Sequence, residues 1–455
     1  MGAGGAATVA AACDQKPEKL IPMLVPPTNF EYTPHTAYQY MTTCGECDAG
    51  CGMMVTVREN RAQKAEGNPL HPINQGALCA RGQASMQTLY NPHRTSKPSL
   101  DGKTISWEDG QKIFQNKLKD ASGKVVYLGK PLSGSDKAFF GEWFEATGGG
   151  KRVAFQLFDQ QSQRNANQTC FGRSDIAEIA FEKAKIIYNF GADFLETWGR
   201  PVENARRLSE SNFYDGKTKV ELVHLSPHVS LTGAKANKWV SIKPGSETLL
   251  ALSIASVVRK EKGGYQFLSK VLTSYTPDKV VEATGVTEEK INELAQNFIK
   301  NSPSLALGGG PSSRNSNLTS LHVAINILNS VSGNLGKTVL FHDQPEPENT
   351  SHGNLIELVS DLNKGKVKLL IIDDSDPVYA LPKSAGFKEA LKNTYTISLA
   401  SQKNDTSSQV NLQLPALTDY ESWGDSFSRS GIQSIRQPVM APVSLFEARP
   451  REDIM

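Results

Sequence analysis

The stretch Cys44-Gly45-Glu46-Cys47-Asp48-Ala49-Gly50-Cys51 places three cysteines within eight residues, and Cys79 follows after a further 27 residues. Each corner iron of a cubane 4Fe–4S cluster needs one thiolate, and the chain must bend sharply to supply three of them from one loop. The interleaved glycines, together with Gly52, permit turns with positive φ and bring backbone amides close to the sulfides. The pattern therefore predicts one 4Fe–4S cluster whose metal ligands are Cys44, Cys47, Cys51 and Cys79.

Two other uses of these cysteines remain open from the sequence alone. Four cysteines also satisfy a tetrahedral zinc site, although structural zinc usually shows two paired CxxC motifs, and the second half here is the single Cys79. In an exported protein, the default for four cysteines is two disulfides. Three thiols so close together favour one inorganic centre over two disulfides, and the single Cys79 favours a cluster over zinc. The remaining cysteines, Cys13 and Cys170, stand apart.

The residues between the cysteines predict a small sheet. Residues 53–58 (MMVTVR) predict a strand, and residues 61–66 predict its hairpin return. Residues 67–76 (GNPLHPINQG) are rich in turn formers and lead to Cys79 within the sequence LCARG. We therefore expect a compact domain in which the two cysteine segments meet.

These motifs resemble the N-terminal domain of the molybdopterin-dependent oxidoreductase family, whose members include polysulfide, nitrate and formate enzymes. The resemblance rests on the CxxCxxxC pattern, on GNPLHPINQGALCARG at 67–82 and on YNPHR at 90–94. It implies a small iron–sulfur domain attached to several α/β domains. It also implies that Arg81 lies near the cluster, where the family has a basic residue between the cluster and the pterin.

The rest of the chain predicts α/β layers with parallel sheets. Apolar strand patterns alternate with helical segments such as 321–331, and strands are expected at 124–128, 184–190, 221–226, 305–310 and 367–373. Residues 239–245 (WVSIKPG) resemble a family signature. The expected domains are an arm at 1–37, a 4Fe–4S domain at 38–98, a first α/β domain at 99–150 and 306–415, and a second at 151–305. A segment at 416–455 is expected to return to the iron–sulfur domain and end as an interface tail.

Three features of the sequence argue against a bound molybdopterin. The Gly308-Gly309-Gly310 turn marks where the family's dinucleotide would lie, but no metal ligand stands at the usual place. Cys170 directly precedes Phe171-Gly172, too late to align with that ligand, and Asp159 and Ser162 lack supporting flanks. Glu247 stands where the family's PGTD motif has Asp, and no capping domain is expected before Met455. We expect no molybdopterin, no catalytic residue, and a structural role for Cys170 as a small apolar residue.

The bulk composition narrows the class of protein. The chain has 455 residues, 38% hydrophobic and 21% charged, with a formal net charge of +2. These values predict a folded protein with more than one domain and exclude an electrostatic basis for nucleic-acid binding. No apolar run reaches the length of a membrane span.

The N-terminus predicts export. Residues 1–13 (MGAGGAATVAAAC) are small and apolar and resemble the back half of an export signal, ending in a sequence like a lipoprotein cleavage site. They predict a protein on the extracytoplasmic face, associated with the membrane, with Cys13 as a lipidation site. The alternative is a disordered tail. Residues 14–40 are rich in proline and predict an extended arm without a core of its own.

A closer resemblance lies in the C-terminal third. Residues 414–425 (LPALTDYESWGD) and 431–439 (GIQSIRQPV) resemble the molybdopterin-like, molybdenum-free half of the large iron–sulfur subunit of alternative complex III, a bacterial quinol:electron-acceptor oxidoreductase. The resemblance covers about residues 38–445. It implies a scaffold subunit without molybdenum, and the four cysteines of this chain add a 4Fe–4S cluster that relays electrons or braces the fold.

The partners that this resemblance implies are a polyferredoxin-type iron–sulfur subunit, a multihaem cytochrome c and quinol-binding integral membrane subunits. Two alternatives remain. One is a catalytic molybdopterin subunit of a polysulfide or thiosulfate reductase, and the other is the equivalent subunit of a quinone reductase complex.

Overall fold

The computed structural model describes residues 36–132, 134–156, 159–211, 219–310, 318–342, 348–427 and 431–455. Cys13 lies outside these ranges, as does almost all of the expected arm at 1–37. Within them, no helix is long and apolar enough to cross a membrane.

The described residues form strands and helices in alternation. The strands are β1 (Ala37–Thr43), β2 (Gly52–Arg58), β3 (Arg61–Gly67), β4 (Ser99–Leu100), β5 (Lys103–Thr104), β6 (Val125–Gly129), β7 (Lys151–Ala154), β8 (Glu178–Ile179), β9 (Ile186–Phe190), β10 (Glu221–Leu225), β11 (Lys238–Val240), β12 (Ser304–Gly308), β13 (Val339–Leu340), β14 (Leu369–Ile372), β15 (Tyr395–Ser398), β16 (Leu412–Gln413), β17 (Gly424–Phe427) and β18 (Gln433–Arg436). The α-helices span Ala80–Ala84, Gln87–Tyr90, Trp107–Ala121, Asp136–Ala146, Gln161–Phe171, Pro201–Glu210, Leu231–Lys235, Glu247–Lys262, Ser269–Leu272, Pro277–Thr284, Glu288–Lys300, Leu318–Ser332, His352–Asn363, Pro377–Ala380, Phe387–Ala390 and Arg451–Ile454.

The N-terminal domain is built on an antiparallel sheet in the order β1–β2–β3. The predicted hairpin is confirmed, and its two-residue turn at Glu59 and Asn60 has φ values of 51° and 59°, as a type I′ turn requires. The expected arm is wrong at its C-terminal end, because Ala37 to Tyr40 pair with Arg58 to Val55 as part of β1.

The first α/β unit contains a seven-stranded sheet in the order β5–β4–β16–β15–β14–β6–β7. Strands β16, β15, β14, β6 and β7 are parallel, whereas β4 and β5 form an antiparallel edge. Every residue of β6 and β14 is buried, as expected of parallel strands covered on both faces. Separate apolar clusters around Phe114 and Leu358 cover the two faces.

The second α/β unit contains a parallel sheet in the order β11–β10–β9–β12. Two helices, Glu247–Lys262 and Leu318–Ser332, pack on it and against each other in the largest apolar cluster. The strands and the helix expected in this unit are present, but both expected boundaries shift. Strand β7 belongs to the first sheet because it pairs with β6, so that unit extends past 150. Strand β12 pairs with β9, so residues beyond 305 belong to the second unit.

The C-terminal segment contacts both the small domain and the first α/β unit. The hydroxyls of Thr42 and Thr43 donate to the carbonyls of Gln437 and Ile435, each at 2.9 Å, which seats the β17–β18 hairpin beside β1. Tyr420 is buried in the apolar cluster of the small domain. The expected interface tail is wrong for its last residues. Ile454 is buried in the first α/β unit, and the Trp143 indole donates to the Met455 carbonyl at 3.2 Å.

Candidate functional site

The four predicted cluster ligands lie on two short segments of the small domain. The first runs from Cys44, directly after β1, to Cys51, directly before β2, and the Cys44 amide donates to the Cys51 carbonyl at 2.9 Å. The second segment is Cys79, which caps the helix Ala80–Ala84 and accepts a hydrogen bond from the Gly82 amide at 3.5 Å. The thiols of Cys44 and Cys51 are buried, and those of Cys47 and Cys79 are partly buried. The β1–β2 pairing therefore forms the three-cysteine loop.

The thiols are close enough to influence one another's ionisation. Burial raises the pKa of Cys44 to about 12 and also raises the pKa values of Cys47 and Cys51, and nearby cysteines, including Cys79, raise them further. Backbone hydrogen bonds at Glu46 and Ala49 act in the opposite direction on Cys44 and Cys47. Buried thiolates need a cationic partner, and the irons of a cluster supply one. Four converging thiols with amide donors toward sulfur therefore fit a 4Fe–4S cluster.

Neither a disulfide nor a single-metal site is present among the described residues. The five cysteines of the described ranges, Cys44, Cys47, Cys51, Cys79 and Cys170, are all free, so the structure does not pair them as disulfides. Across the same ranges, no group of three or more His, Cys, Asp and Glu side chains is arranged to hold a single metal ion.

The glycines of the ligand loop allow close approach of neighbouring segments, and only Gly50 has the positive φ that the sequence predicted. Gly50 has the expected positive φ, 59°, and a Cβ there would lie 2.5 Å from Ser426 Oγ. Gly45 and Gly52 do not have positive φ. At Gly45, a Cβ would lie 1.9 Å from Asp419 Oδ2, and at Gly52 it would meet the His71 ring. These glycines allow the C-terminal segment and the 67–76 loop to approach the cluster loop closely.

A cavity of about 410 Å³ adjoins the cluster loop on the side of the α/β units. It lies at the carboxyl ends of parallel strands from both sheets, where Lys130, Phe155, Gly309 and Asp373 follow β6, β7, β12 and β14. This is where open α/β sheets bind ligands. Cys44 and Cys47 also line the cavity, as does the predicted Arg81.

The lining of the cavity carries more negative than positive charge. Among the described residues there are nine carboxylates and four cations: Glu46, Asp48, Asp136, Asp159, Asp373, Asp374, Asp376, Asp419 and Asp425 against Arg81, Lys130, Arg436 and Arg451. Three of the cations are held in ion pairs, Lys130–Asp374 at 3.0 Å, Arg436–Asp419 at 3.2 Å and Arg451–Asp373 at 2.8 Å. The positive charge at the strand ends is therefore largely neutralised by the protein itself.

The residues weighed as molybdenum ligands are dispersed. Asp159 and Ser162 line the cavity, and Asp159 accepts a hydrogen bond from the His352 amide at 2.9 Å. Cys170 is not among the lining residues. It is half-buried, and its pKa is raised by burial, with a hydrogen bond to Asn326 acting in the opposite direction, so it is less buried than the structural role expected for it implies.

Two further family positions have local structural roles. Glu247 is buried at the start of the helix Glu247–Lys262, outside the cavity lining, and burial raises its pKa. At Gly310, a Cβ would lie 1.9 Å from the Gly191 carbonyl, so the close approach of the two strand ends itself requires a glycine there.

Apart from Arg81 and Asp159, sequence reasoning missed the charged groups that line the cavity. Lys130 and Asp374 each come just after a predicted strand, and that position could have indicated that they lie at the ligand-binding edge of the sheet. Asp419, Arg436 and Arg451 come from the C-terminal segment, and no local pattern indicates that they reach the strand ends.

Comparison with known proteins relates the chain to molybdopterin oxidoreductases. Residues 39–91, which contain all four predicted ligands, match the family described as Molybdopterin oxidoreductase Fe4S4 domain. The chain is 26% identical over 451 residues to the menaquinone reductase, molybdopterin-binding-like subunit of Nitratidesulfovibrio vulgaris, covering 92% of this chain and 64% of that protein. It is 26% identical over 239 residues to the arsenate respiratory reductase molybdopterin-containing subunit ArrA of Shewanella sp. strain ANA-3, covering 48% of this chain and 27% of that protein.

The fold is also found among solved structures. Acetylene hydratase from Pelobacter acetylenicus superposes with a TM-score of 0.75 at 15% identity, over 91% of this chain and 68% of that chain. The chain thus has an α/β fold of this kind with an N-terminal Fe4S4 domain. It spans less than two thirds of the length of the two curated relatives described above.

Proposed function

We propose that this chain is a subunit of a quinone-linked oxidoreductase complex, in which it carries one 4Fe–4S cluster and has neither molybdopterin nor an active site of its own. The similarity over 92% of the chain to a menaquinone reductase subunit supports the quinone link. The match of residues 39–91 to an Fe4S4 domain supports the cluster. A 4Fe–4S cluster supplies one-electron transfer, and the thiols and amides of the small domain hold it.

The negative charge of the cavity lining is the main support for proposing that this chain binds no molybdopterin. A pterin dinucleotide brings phosphate groups, which proteins bind with backbone amides and with unpaired Arg or Lys. Here nine carboxylates face four cations in the described lining, and ion pairs already engage three of those cations. Such a lining repels a polyanion. The described residues around the cavity therefore do not fit a pterin dinucleotide.

The choice between two quinone-linked complexes rests on different observations. The menaquinone reductase relative supports the quinone reductase reading. The motifs at 414–425 and 431–439 support the alternative complex III reading. The alternative complex III reading implies iron–sulfur, multihaem cytochrome c and membrane partners, which we expect to co-purify with this chain. A quinol-oxidising complex without a menaquinone-reducing activity would support the second reading against the first.

The metal content of the native complex tests the proposal. We would purify the complex with wild-type chain and with the Cys51→Ser variant and measure iron, sulfide, zinc and molybdenum in both. The proposal predicts a loss of about four irons per chain in the variant, with no molybdenum in either sample. Stoichiometric molybdenum would make this a catalytic reductase subunit. A loss of zinc instead of iron would remove the electron-transfer role.

We also propose export and lipidation at Cys13, as residues 1–13 predict. Mass spectrometry of the N-terminal peptide of the mature protein tests this. A peptide that begins at an acylated Cys13 supports the proposal, whereas an unmodified peptide from Met1 through Cys13 contradicts it.

A further inference from the structure

A short segment of the second α/β unit has apolar side chains on both of its faces. The segment follows the helix Glu247–Lys262 and includes the 3-10 helix Gln266–Leu268 and the helix Ser269–Leu272. On the inner face, Leu272 is 1% exposed and Leu268 packs against the core. On the outer face, Phe267 is 77% exposed and Val271, one helical turn later, is 50% exposed. The inner face is explained by the core, and the outer face is not.

An exposed tyrosine extends the outer apolar face. Tyr265 is 39% exposed, and its ring centroid lies 6.1 Å from that of Phe267. Gly263 and Gly264 precede it with φ values of 75° and 79°, which turn the chain outward after the long helix. We call Tyr265, Phe267 and Val271 the aromatic patch.

The segment that carries the aromatic patch is rich in positive charge, and its three lysines are exposed. Residues 259–275 contain four cations, Arg259, Lys260, Lys262 and Lys270, and one acid, Glu261. Among the described residues no carboxylate pairs with these four cations, although Arg259 donates to the Gln266 side chain at 3.0 Å and Lys262 to the Ser332 carbonyl at 2.8 Å. Burial and the charge of Lys337 both lower the pKa of Lys262. An anionic partner would relieve this repulsion between like charges.

The size of the patch favours a lipid surface over a protein partner. A stable protein interface buries about 800 Å² on each side, from some 20–30 residues, and three exposed apolar side chains are far fewer. A bilayer interface requires no complementary shape. It takes up aromatic and aliphatic side chains among the headgroups, and anionic lipids attract the flanking lysines.

We propose that the aromatic patch and its lysines form a peripheral docking site for an anionic lipid bilayer. Phe267 and Val271 enter the headgroup region, and Lys260, Lys262 and Lys270 contact anionic headgroups. The site lies on the second α/β unit and uses none of the cluster residues. The proposal therefore stands whether or not the chain binds a cluster or a quinone-linked partner.

Vesicle flotation of the full chain carrying Cys13→Ala, which has no site for the proposed acylation, tests the charge requirement. Vesicles of phosphatidylcholine mixed with phosphatidylglycerol are compared with vesicles of phosphatidylcholine alone. We expect binding to the anionic vesicles only, and weaker binding at high salt. The variant Lys260→Glu/Lys262→Glu/Lys270→Glu is expected to lose at least about a hundredfold in partitioning, because removing each lysine costs about fivefold near an anionic surface and the added glutamates are repelled by it.

Matched substitutions elsewhere control for net charge and folding. The variant Lys103→Glu/Lys112→Glu/Lys119→Glu changes three exposed lysines on the first α/β unit and is expected to bind as the wild type does. If both triple variants lose binding equally, or if the wild type binds neither kind of vesicle, the proposal is wrong. An acidic protein partner would then be the better explanation of the lysines.

Two further variants test insertion of the apolar side chains. Phe267→Ser is expected to weaken binding about tenfold or more, whereas Tyr379→Ser, at a position that is 78% exposed and outside the patch, leaves it unchanged. Phe267→Trp places a fluorophore in the patch. A blue shift of its emission on adding anionic vesicles supports insertion. Unchanged emission with intact vesicle binding would overturn the proposed insertion.

Discussion

Arg94 and Glu421, 327 positions apart in the chain, form a two-bond ion pair in the interior of the protein. Arg94 Nη1 and Nη2 donate to the two carboxylate oxygens of Glu421 at 3.1 and 2.8 Å, and the two side chains are 1% and 0% exposed. Glu421 also accepts from the amides of Thr418 and Val443. The pair therefore joins the end of the small domain to the C-terminal segment that lines the cavity.

Breaking this pair from one side should be costly. Glu421→Gln or Arg94→Met leaves the other partner buried without its counter-charge, and we expect each to lower the free energy of unfolding by about 3–5 kcal/mol. Urea unfolding of the full chain measures this. The control is Lys64→Met, which breaks the exposed Lys64–Glu66 pair, with side chains 64% and 42% exposed, and should cost less than about 1 kcal/mol. Equal effects at the two sites would contradict a stabilising role for the buried pair.

The same pair predicts a dependence of stability on pH. Burial alone would raise the pKa of Glu421, but hydrogen bonds from Arg94, Val443 and Thr418 lower it below its ordinary value. A carboxylate whose pKa is lower in the folded state stabilises the fold above the unfolded-state pKa of about 4.3, and this stabilisation is lost as the pH falls through the folded-state value. The wild-type advantage over Glu421→Gln should therefore shrink as the pH is lowered below about 4. A pH-independent difference would contradict this.

The cluster loop predicts different results for two cysteines. Cys51→Ser should abolish the visible absorbance of the cluster and the iron that this chain binds, because one corner iron loses its thiolate. Cys170→Ser should leave both unchanged, because Cys170 lies in the helix Gln161–Phe171 and does not line the cavity beside the loop. Iron and sulfide analysis after anaerobic purification makes the comparison. Loss of iron in both variants would show that the assignment of ligands is wrong.

The contact between Gly45 and Asp419 predicts that a second substitution, at Asp419, restores the iron content lost in a Gly45 variant. A Cβ at Gly45 would lie 1.9 Å from Asp419 Oδ2, so Gly45→Ala should displace the cluster loop and lower the iron content. Adding Asp419→Ala removes the clash and should restore much of the iron, a coupling that a double-mutant cycle measures. Gly141→Ala, in the helix Asp136–Ala146 with nothing within 4 Å of its Cβ, should retain full iron and gain up to about 1 kcal/mol of stability.

Local patterns in the sequence predicted most of the architecture. The hairpin of β2 and β3 and the strands β6, β9, β10, β12 and β14 were each expected within two residues of their observed ends. These elements bury continuous or alternating apolar runs, which a single segment of sequence displays. The domain boundaries expected at 150 and 305 were misplaced. The sheet to which a strand belongs depends on its pairing partner, and β7 pairs with β6 whereas β12 pairs with β9.

By itself, the sequence favoured a 4Fe–4S site over zinc or disulfides, because the spacing of Cys44, Cys47 and Cys51 and the neighbouring turn motifs are local properties of the chain. Only the tertiary structure decided the balance of charge in the cavity beside it. Its charges come from strand ends and from a C-terminal segment that are separate in the chain, and packing brings Lys130 to Asp374 and Arg451 to Asp373. Electrostatic balance depends on distances in space, and no window of sequence contains those distances.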